Sequence, residues 1–313
     1  MNVELLHYRE WKGQHRSPAW AIWPIARMAL GMMFRRKLFW WLFAAGMLLF
    51  LMFFFGGYLL QWSLTRVPPE NQRMVQGIQR SINILNGSQD TFAYFFRYQG
   101  IMVMVILSLT GAVLVGNDFV HGSVSFYLSK PISRWHYIGG KCLAVAVIVH
   151  MLTTLPALGL YLQHAMENWD YVADPDYFRR LNISDSPAGI PLLLGILGYG
   201  MLTSIVLSLL LVSLASRVQK TMPLVLVWCS MFLFLRMLSE ILVEGLHFHK
   251  SLRLVDMWNN LRIVGCRFLG INFQARSGDP HPELWEAATV IVVVCGFCLY
   301  YLNRRIRAVE VIQ

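Results

Sequence analysis

The chain has 313 residues, of which 56% are hydrophobic and 14% charged, and it carries a formal net charge of +10. An ordinary soluble domain has about 25% charged residues and could not bury several apolar runs of about 18 residues each. The composition therefore excludes a soluble globular protein and predicts an all-α polytopic membrane protein.

A basic segment precedes the first apolar run. In its second part, from Pro18 or Pro24 to Lys37, apolar residues recur at helical spacing, and positive charge is supplied by Arg27, Arg35, Arg36 and Lys37. The apolar set is Ile25, Met28, Ala29, Met32 and Met33. This pattern predicts a helix at the membrane interface within a cytoplasmic segment 1–37. Attraction to anionic lipid explains the charge, so we expect no nucleic-acid partner.

Six apolar runs follow and predict a transmembrane domain over residues 38–302. The predicted spans are about 38–60, 98–115, 142–163, 191–214, 223–243 and 284–302. In the fourth span, Gly200, Ser204 and Ser208 recur every four residues, which predicts close contact with another helix.

The distribution of Lys and Arg predicts the orientation. Segments 1–37, 116–141, 215–222 and 303–313 together hold 15 of them in 82 residues. The other connecting segments, 61–97, 164–190 and 244–283, hold 11 in 104. By the positive-inside rule the first set is cytoplasmic. We therefore expect a multi-pass protein of the plasma or inner membrane, with both termini, including a tail at 303–313, in the cytoplasm.

A polar segment, GNDFVHGSVSFYLSKPISRWHYIGGK, separates the second and third spans at residues 116–141. Each charge would cost about 2.5–3.5 kcal/mol at the bilayer centre, so the segment must lie in water or at the interface. Within it, Val124, Phe126, Tyr127 and Leu128 form an apolar cluster that Pro131 ends. The pattern predicts one short helix from about Asp118 to Ser129, with Asp118 at its positive end.

The same segment resembles a known signature, which is carried by Asp118, Gly122-Ser123-Val124, Leu128-Ser129, Pro131, Ser133-Arg134 and Gly140-Lys141. It is similar to the signature of ABC-2-type permeases, the membrane subunits of ABC exporters, and most similar to their copper-maturation and antibiotic-export branch. The chain departs from that signature at three positions. Asp118 replaces the usual Glu, Val120 stands where a second acid is common, and Ser123 replaces Thr.

The resemblance implies that the short helix is a coupling helix, which docks into a groove on a separate ATPase subunit. The implied coupling residues are Asp118, His121, Gly122, Ser123, Val124, Phe126, Tyr127, Leu128, Pro131 and Arg134. It also implies six spans, a second permease copy or paralogue, an exported substrate of unknown class, and short extracellular helices within 251–276, before the last span.

No nucleotide-binding motif accompanies this signature. Gly140-Lys141 is followed by Cys142, and Trp135 occupies the position of the first glycine of a P-loop. We therefore expect the chain itself not to be an enzyme and to bind no cofactor or metal. ATP and Mg²⁺ would be bound by the partner ATPase.

Charged residues inside the fifth span leave two interpretations open. Arg236, Glu240 and Glu244 recur every four residues. They form either a structural ion-paired stripe near the membrane rim or the lining of an export path or subunit interface. A different class of function, a stand-alone channel, secondary carrier or intramembrane enzyme, would need polar residues spread over several spans or helices broken at the membrane midplane.

Overall fold

A computed structural model describes residues 18–66, 84–123, 127, 132–167, 169–180, 187–272 and 281–306. Within these ranges the chain is helical between short turns and has no β-strand. The predicted N-terminal segment before residue 18 and most of the predicted tail at 303–313 lie outside the described residues.

Six long helices overlap the six predicted spans, and each is long and apolar enough to cross a membrane. The chain is therefore a multi-pass membrane protein by helix length and composition. The long helices are α2 (Lys37–Arg66), α3 (Gln89–Val120), α4 (Arg134–Glu167), α7 (Gly189–Val218), α8 (Thr221–Gly245) and α10 (Leu284–Arg305). The shorter ones are α1 (Ile22–Phe34), α5 (Asp170–Ala173), α6 (Tyr177–Arg180) and α9 (Met257–Phe268), with 3₁₀ turns at Pro18–Ala21 and Lys250–Val255.

The long helices form an inner and an outer group. In α3 and α7, 72% of the apolar stretch is buried, and in α4 56%, whereas α2 and α10 bury 17% and α8 22%. The outer group therefore exposes wide apolar faces. Such a surface suits lipid, which unlike water imposes no penalty on exposed apolar side chains.

The inner helices pack closely where their side chains are small. A Cβ atom added at Gly200 of α7 would lie 2.0 Å from the Thr154 hydroxyl of α4. Ser204 and Ser208 are also buried. The close helix contact predicted from this row of small residues is present. The contact lies next to Thr153, where α4 is interrupted. The interruption arises because Pro156 has no amide hydrogen to donate to the carbonyl of Leu152.

Helix α9 is inserted into one end of the bundle. Its Trp258 ring packs against Gly100 of α3, where an added Cβ would lie 2.1 Å from the ring, and Tyr199 of α7 packs against Gly265. Asp256 caps the helix by accepting hydrogen bonds from the amides of Trp258 at 2.9 Å and Asn259 at 3.2 Å. Short helices thus precede α10, as predicted. Their extracellular location stays a prediction.

The bundle has two ends, which are named here after Asp118 and Arg262. The Asp118 end contains α1, the end of α3, the start of α4 and the turn between α7 and α8. The Arg262 end contains α9, the 3₁₀ turn Lys250–Val255 and the end of α8. The signature residues that the structure describes lie at the Asp118 end.

Candidate functional site

A buried ion pair joins the two extremes of the signature segment. Lys141 Nζ lies 2.7 Å from Asp118 Oδ2, and their side chains are only 1% and 9% exposed. Lys141 Nζ also donates a hydrogen bond of 2.6 Å to the carbonyl of Leu114, and the Tyr137 hydroxyl donates one of 2.9 Å to Asp118 Oδ2. The carboxylate and the ammonium thus each have two partners. This arrangement compensates the desolvation that buried charges otherwise suffer.

The positions of these residues follow from two helices. Tyr137 and Lys141 are four residues apart on α4 and therefore lie on one face of it. That face is turned towards the last part of α3, where the backbone forms a π-helical turn from Ala112 to Gly116. Lys141 donates to a carbonyl within this turn. Short π-helical turns inside α-helices are common at functional sites.

The predicted start of the short helix at Asp118 is wrong. Helical backbone runs from Gln89 without interruption to Val120, so Asp118 lies in the last turn of α3. The chain turns at His121 and Gly122, and Gly122 has φ of +67°, a conformation that glycine adopts without strain. Because Asp118 is buried against Lys141, its carboxylate does not face a partner protein. Its contribution to coupling would be indirect.

Apart from Tyr127, the other implied coupling residues divide into three groups. His121 is exposed, Ser123 is half-buried, and a Cβ added at Gly122 would meet no atom within 4 Å, so these three lie at the surface. Arg134 is exposed and donates a hydrogen bond of 3.3 Å to the carbonyl of Asn303. The remaining ones, Val124, Phe126, Leu128 and Pro131, lie outside the described residues.

Tyr127 connects the signature segment to the N-terminal helix. Its hydroxyl donates to the Met28 sulfur at 3.1 Å, and its ring lies 5.5 Å from that of Tyr137. Burial, and then the negative charge of Asp118, raise the pKa of the Tyr127 phenol. Tyr127 therefore stays neutral and lies between α1 and the buried cluster.

Helix α1 completes this end of the molecule. Its buried face packs on the start of α4, and a Cβ added at Gly140 would lie 2.7 Å from Ile25 Cγ2. The buried residues are Ile25, Ala26, Ala29, Leu30 and Met33. The helix predicted from the spacing is present, although Met28 is exposed and Met32 only half-buried. Its location at the membrane interface stays a prediction.

The turn between α7 and α8 also reaches the Asp118 end. A Cβ added at Gly116 would lie 2.5 Å from the carbonyl oxygen of Gln219, which itself has φ of +58°. The end of α3 is therefore in backbone contact with the α7–α8 connection. Displacement of the signature segment would affect α3, α4 and this connection together.

The charged residues of the fifth span lie at the Arg262 end, and only two of the three pair with each other. Arg236 Nε and Glu240 Oε1 form an ion pair of 3.0 Å. Glu244 instead pairs with Arg253 of the 3₁₀ turn. All four side chains line one cavity. The two interpretations of the stripe thus stay open, because the ion pair and the lining of a cavity coexist.

Sequence reasoning missed several members of these clusters. Tyr137 had one available signal, its four-residue spacing from Lys141. The pairing of Asp118 with Lys141 had none, because the two residues lie on different helices. Arg97, Arg253 and Arg262 converge at the Arg262 end from separate segments. Nothing in their local sequence indicates a common site.

No protein-family model matches the chain, and no curated protein matches it significantly.

Proposed function

We propose that the chain is the transmembrane permease subunit of an ABC exporter, driven by a separate ATPase subunit that docks at the signature segment. The observation that supports this best is the buried contact between Asp118 and Lys141. It ties the two extremes of the segment to each other and to α3 and α4. A force applied at the surface turn His121–Gly122 would therefore reach two inner helices directly.

A coupling element must be accessible to its partner and rigidly attached to the pathway. The residues at 121–123 meet the first requirement, since they lie at the surface. The buried Asp118–Tyr137–Lys141 cluster meets the second, since breaking a buried ion pair by removing one partner costs about 3–5 kcal/mol. The nearby π-helical turn Ala112–Gly116 is the part of α3 where a shift in helix register would be easiest.

The proposal assigns ATP hydrolysis to another chain, because the sequence has no P-loop motif. It also assigns a second copy or paralogue to the assembly. Two copies would form the pathway between them. The wide apolar faces of α2, α8 and α10 offer surface for such a contact as well as for lipid.

Co-purification tests the proposal. The tagged full chain is isolated from membranes of cells that encode it, after mild cross-linking, and proteins with Walker motifs are quantified by mass spectrometry. We expect one ABC ATPase to be strongly enriched. His121→Trp and Gly122→Trp add a bulky ring at the surface turn and should reduce the bound ATPase at least about tenfold, since blocking an interface centre costs about 2 kcal/mol or more. Gly122→Trp also strains the backbone, because Gly122 has φ of +67°, so His121→Trp is the variant that tests docking without this strain.

A matched control adds the same ring at the opposite end. Leu246 is 60% exposed beyond the end of α8, and Leu246→Trp should leave the ATPase bound. Absence of any ABC ATPase from the wild-type preparation would contradict the proposal and favour a stand-alone channel or carrier. An ATPase retained equally by all three variants would contradict docking at the signature segment.

A further inference from the structure

A polar cavity of about 210 Å³ lies at the Arg262 end, between α3, α8, α9 and the 3₁₀ turn. Four arginines and three acidic residues line it, together with Asn259 and His281. Since a water molecule takes up about 30 Å³ in the liquid, this volume accommodates a carboxylate or phosphate group with some of its hydration. Whether the cavity can bind such a group depends on which lining side chains already have an ion-pair or hydrogen-bond partner.

The two glutamates are satisfied by two of the arginines. Glu240 accepts from Arg236 Nε at 3.0 Å, and Glu244 accepts from Arg253 Nη2. Arg253 also contacts His281 Nδ1 at 3.0 Å through Nη1. Because a guanidinium only donates, His281 Nδ1 is the acceptor in this contact. Both glutamates are thus paired with arginines inside the cavity.

The third acid is engaged as well. Asp256 is buried, and its Oδ1 atom accepts the two backbone amides that begin α9. Burial raises the pKa of this carboxyl above its ordinary value. The residue acts as a helix cap and contributes less negative charge to the cavity than an exposed aspartate would.

The donors that remain come from α3 and α9. Arg97 is half-buried, and within the described part of the chain no acidic oxygen lies within 4 Å of its guanidinium. Asn259 is only 9% exposed. Its Nδ2 amide group makes no hydrogen bond to any described residue. Its Oδ1 atom accepts from Arg262 Nη2 at 3.3 Å.

Positive charge is concentrated beside these donors. Burial lowers the pKa of the Arg262 guanidinium; Arg97 and Arg236 lower it further, whereas Cys266 and Tyr199 act in the opposite direction. The guanidinium groups of Arg97 and Arg236 therefore lie near that of Arg262, and an anion bound among them would be attracted by more than one positive charge. A guanidinium is also the side chain best suited to binding carboxylate or phosphate oxygens.

We propose that this cavity binds an oxyanion, a carboxylate or a phosphate group, at Arg97 and the Asn259 amide, beside Arg262. The group belongs either to a soluble molecule or to the head group of an anionic lipid. The proposal is independent of ATP-driven transport, because it rests only on residues at the Arg262 end.

Two measurements on the full-length chain separate these sources. In nanodiscs of phosphatidylcholine, binding of inorganic phosphate is measured by isothermal titration calorimetry, with chloride at equal ionic strength as reference. In nanodiscs that also contain phosphatidylglycerol, native mass spectrometry measures retention of the anionic lipid. Arg97→Gln removes the charged donor and should weaken whichever ligand binds by about tenfold or more, because a hydrogen bond between charged groups is lost.

Two further variants keep the test decisive. Asn259→Asp preserves the side-chain shape and the acceptor for Arg262, but it replaces the amide donor by a second acceptor and should weaken the ligand similarly. Arg267→Gln removes an exposed arginine of the same helix that does not line the cavity, and it should have no effect.

Phosphate binding that depends on Arg97 and Asn259 supports a soluble oxyanion, and lipid retention with the same dependence supports a head group. Absence of both would overturn the proposal. So would an equal loss in Arg267→Gln, which would indicate a general effect of surface charge.

Discussion

The two ends of the bundle hold their charged side chains in opposite ways. At the Asp118 end, one lysine and one aspartate are almost completely buried and are surrounded by Tyr137 and a backbone carbonyl. At the Arg262 end, four arginines and three acids surround a cavity, and their ion pairs are partly exposed. A buried pair whose two charges each have a second partner stabilises one geometry, whereas an open cluster that contains unpaired donors leaves room for a ligand.

The difference predicts which end is more sensitive to mutation. Removing one charge from a dry site leaves the other charge uncompensated, while water can replace a partner in a wet site. Four stability measurements on the purified protein, by thermal unfolding in detergent, test this comparison in order of decreasing effect.

The largest effect is expected for Lys141→Met. This change leaves the Asp118 carboxylate buried without its counter-ion and should destabilise the protein by about 3–5 kcal/mol. The double variant Asp118→Asn with Lys141→Met removes both charges and should recover most of the loss. A double variant no more stable than the single one would show that the ion pair itself is not the source of the stability.

Close packing at the same end gives the next effect. Gly140→Ala places a methyl group 2.7 Å from Ile25 Cγ2 and 3.0 Å from the carbonyl oxygen of Ile22, so we expect a loss of about 1–3 kcal/mol. Gly139→Ala is the matched control. Its added carbon would lie 3.7 Å from Ile22 Cδ1, an ordinary contact, and alanine favours helix by about 0.5–1 kcal/mol over glycine. Equal effects at both positions would contradict tight docking of α1 on α4.

A smaller effect is expected from the cap of α9. Asp256→Ala removes the acceptor for the amides of Trp258 and Asn259 and should cost about 1 kcal/mol. Asp256→Asn keeps an acceptor oxygen and should cost much less. If the asparagine variant were as unstable as the alanine variant, the carboxylate charge would matter more than the cap, and the Arg262 end would resemble the Asp118 end.

The smallest effect is expected from the ion pair of the fifth span. The side chains of Arg236 and Glu240 are 33% and 48% exposed, so replacing both with Gln should change stability by about 0.5 kcal/mol or less. A loss comparable to that of Lys141→Met would remove the contrast between the two ends.

Much of the fold follows from local sequence. The six spans were predicted from apolar length, and α1 from the recurrence of apolar residues every three or four positions. The row Gly200, Ser204 and Ser208 predicted a close helix contact, which is present against Thr154. Helix boundaries were less accurate. The second span extends well before residue 98, since polar residues such as Gln89 and Asp90 continue the helix beyond its apolar part.

The candidate sites followed from sequence only in part. The assignment of the signature segment to a permease family stays a prediction. The sequence predicts Asp118 at the positive end of a short helix, whereas it is buried in the last turn of α3. The sequence does not reveal this, since helical backbone continues through Gly116 and Asn117. Glu244 was expected to continue a stripe with Arg236 and Glu240, yet its partner is Arg253, because the 3₁₀ turn folds back beside α8.

The sequence by itself determined that this protein is a bundle of apolar helices with one conspicuous polar segment between the second and third spans. These are local properties, because hydrophobic length and residue spacing decide whether a segment enters a membrane and forms a helix. The tertiary structure alone decided that Asp118 pairs with Lys141 and that Arg97 and Arg262 line one cavity. Such pairings depend on how each helix is rotated and tilted against its neighbours, which is set by packing over the whole bundle.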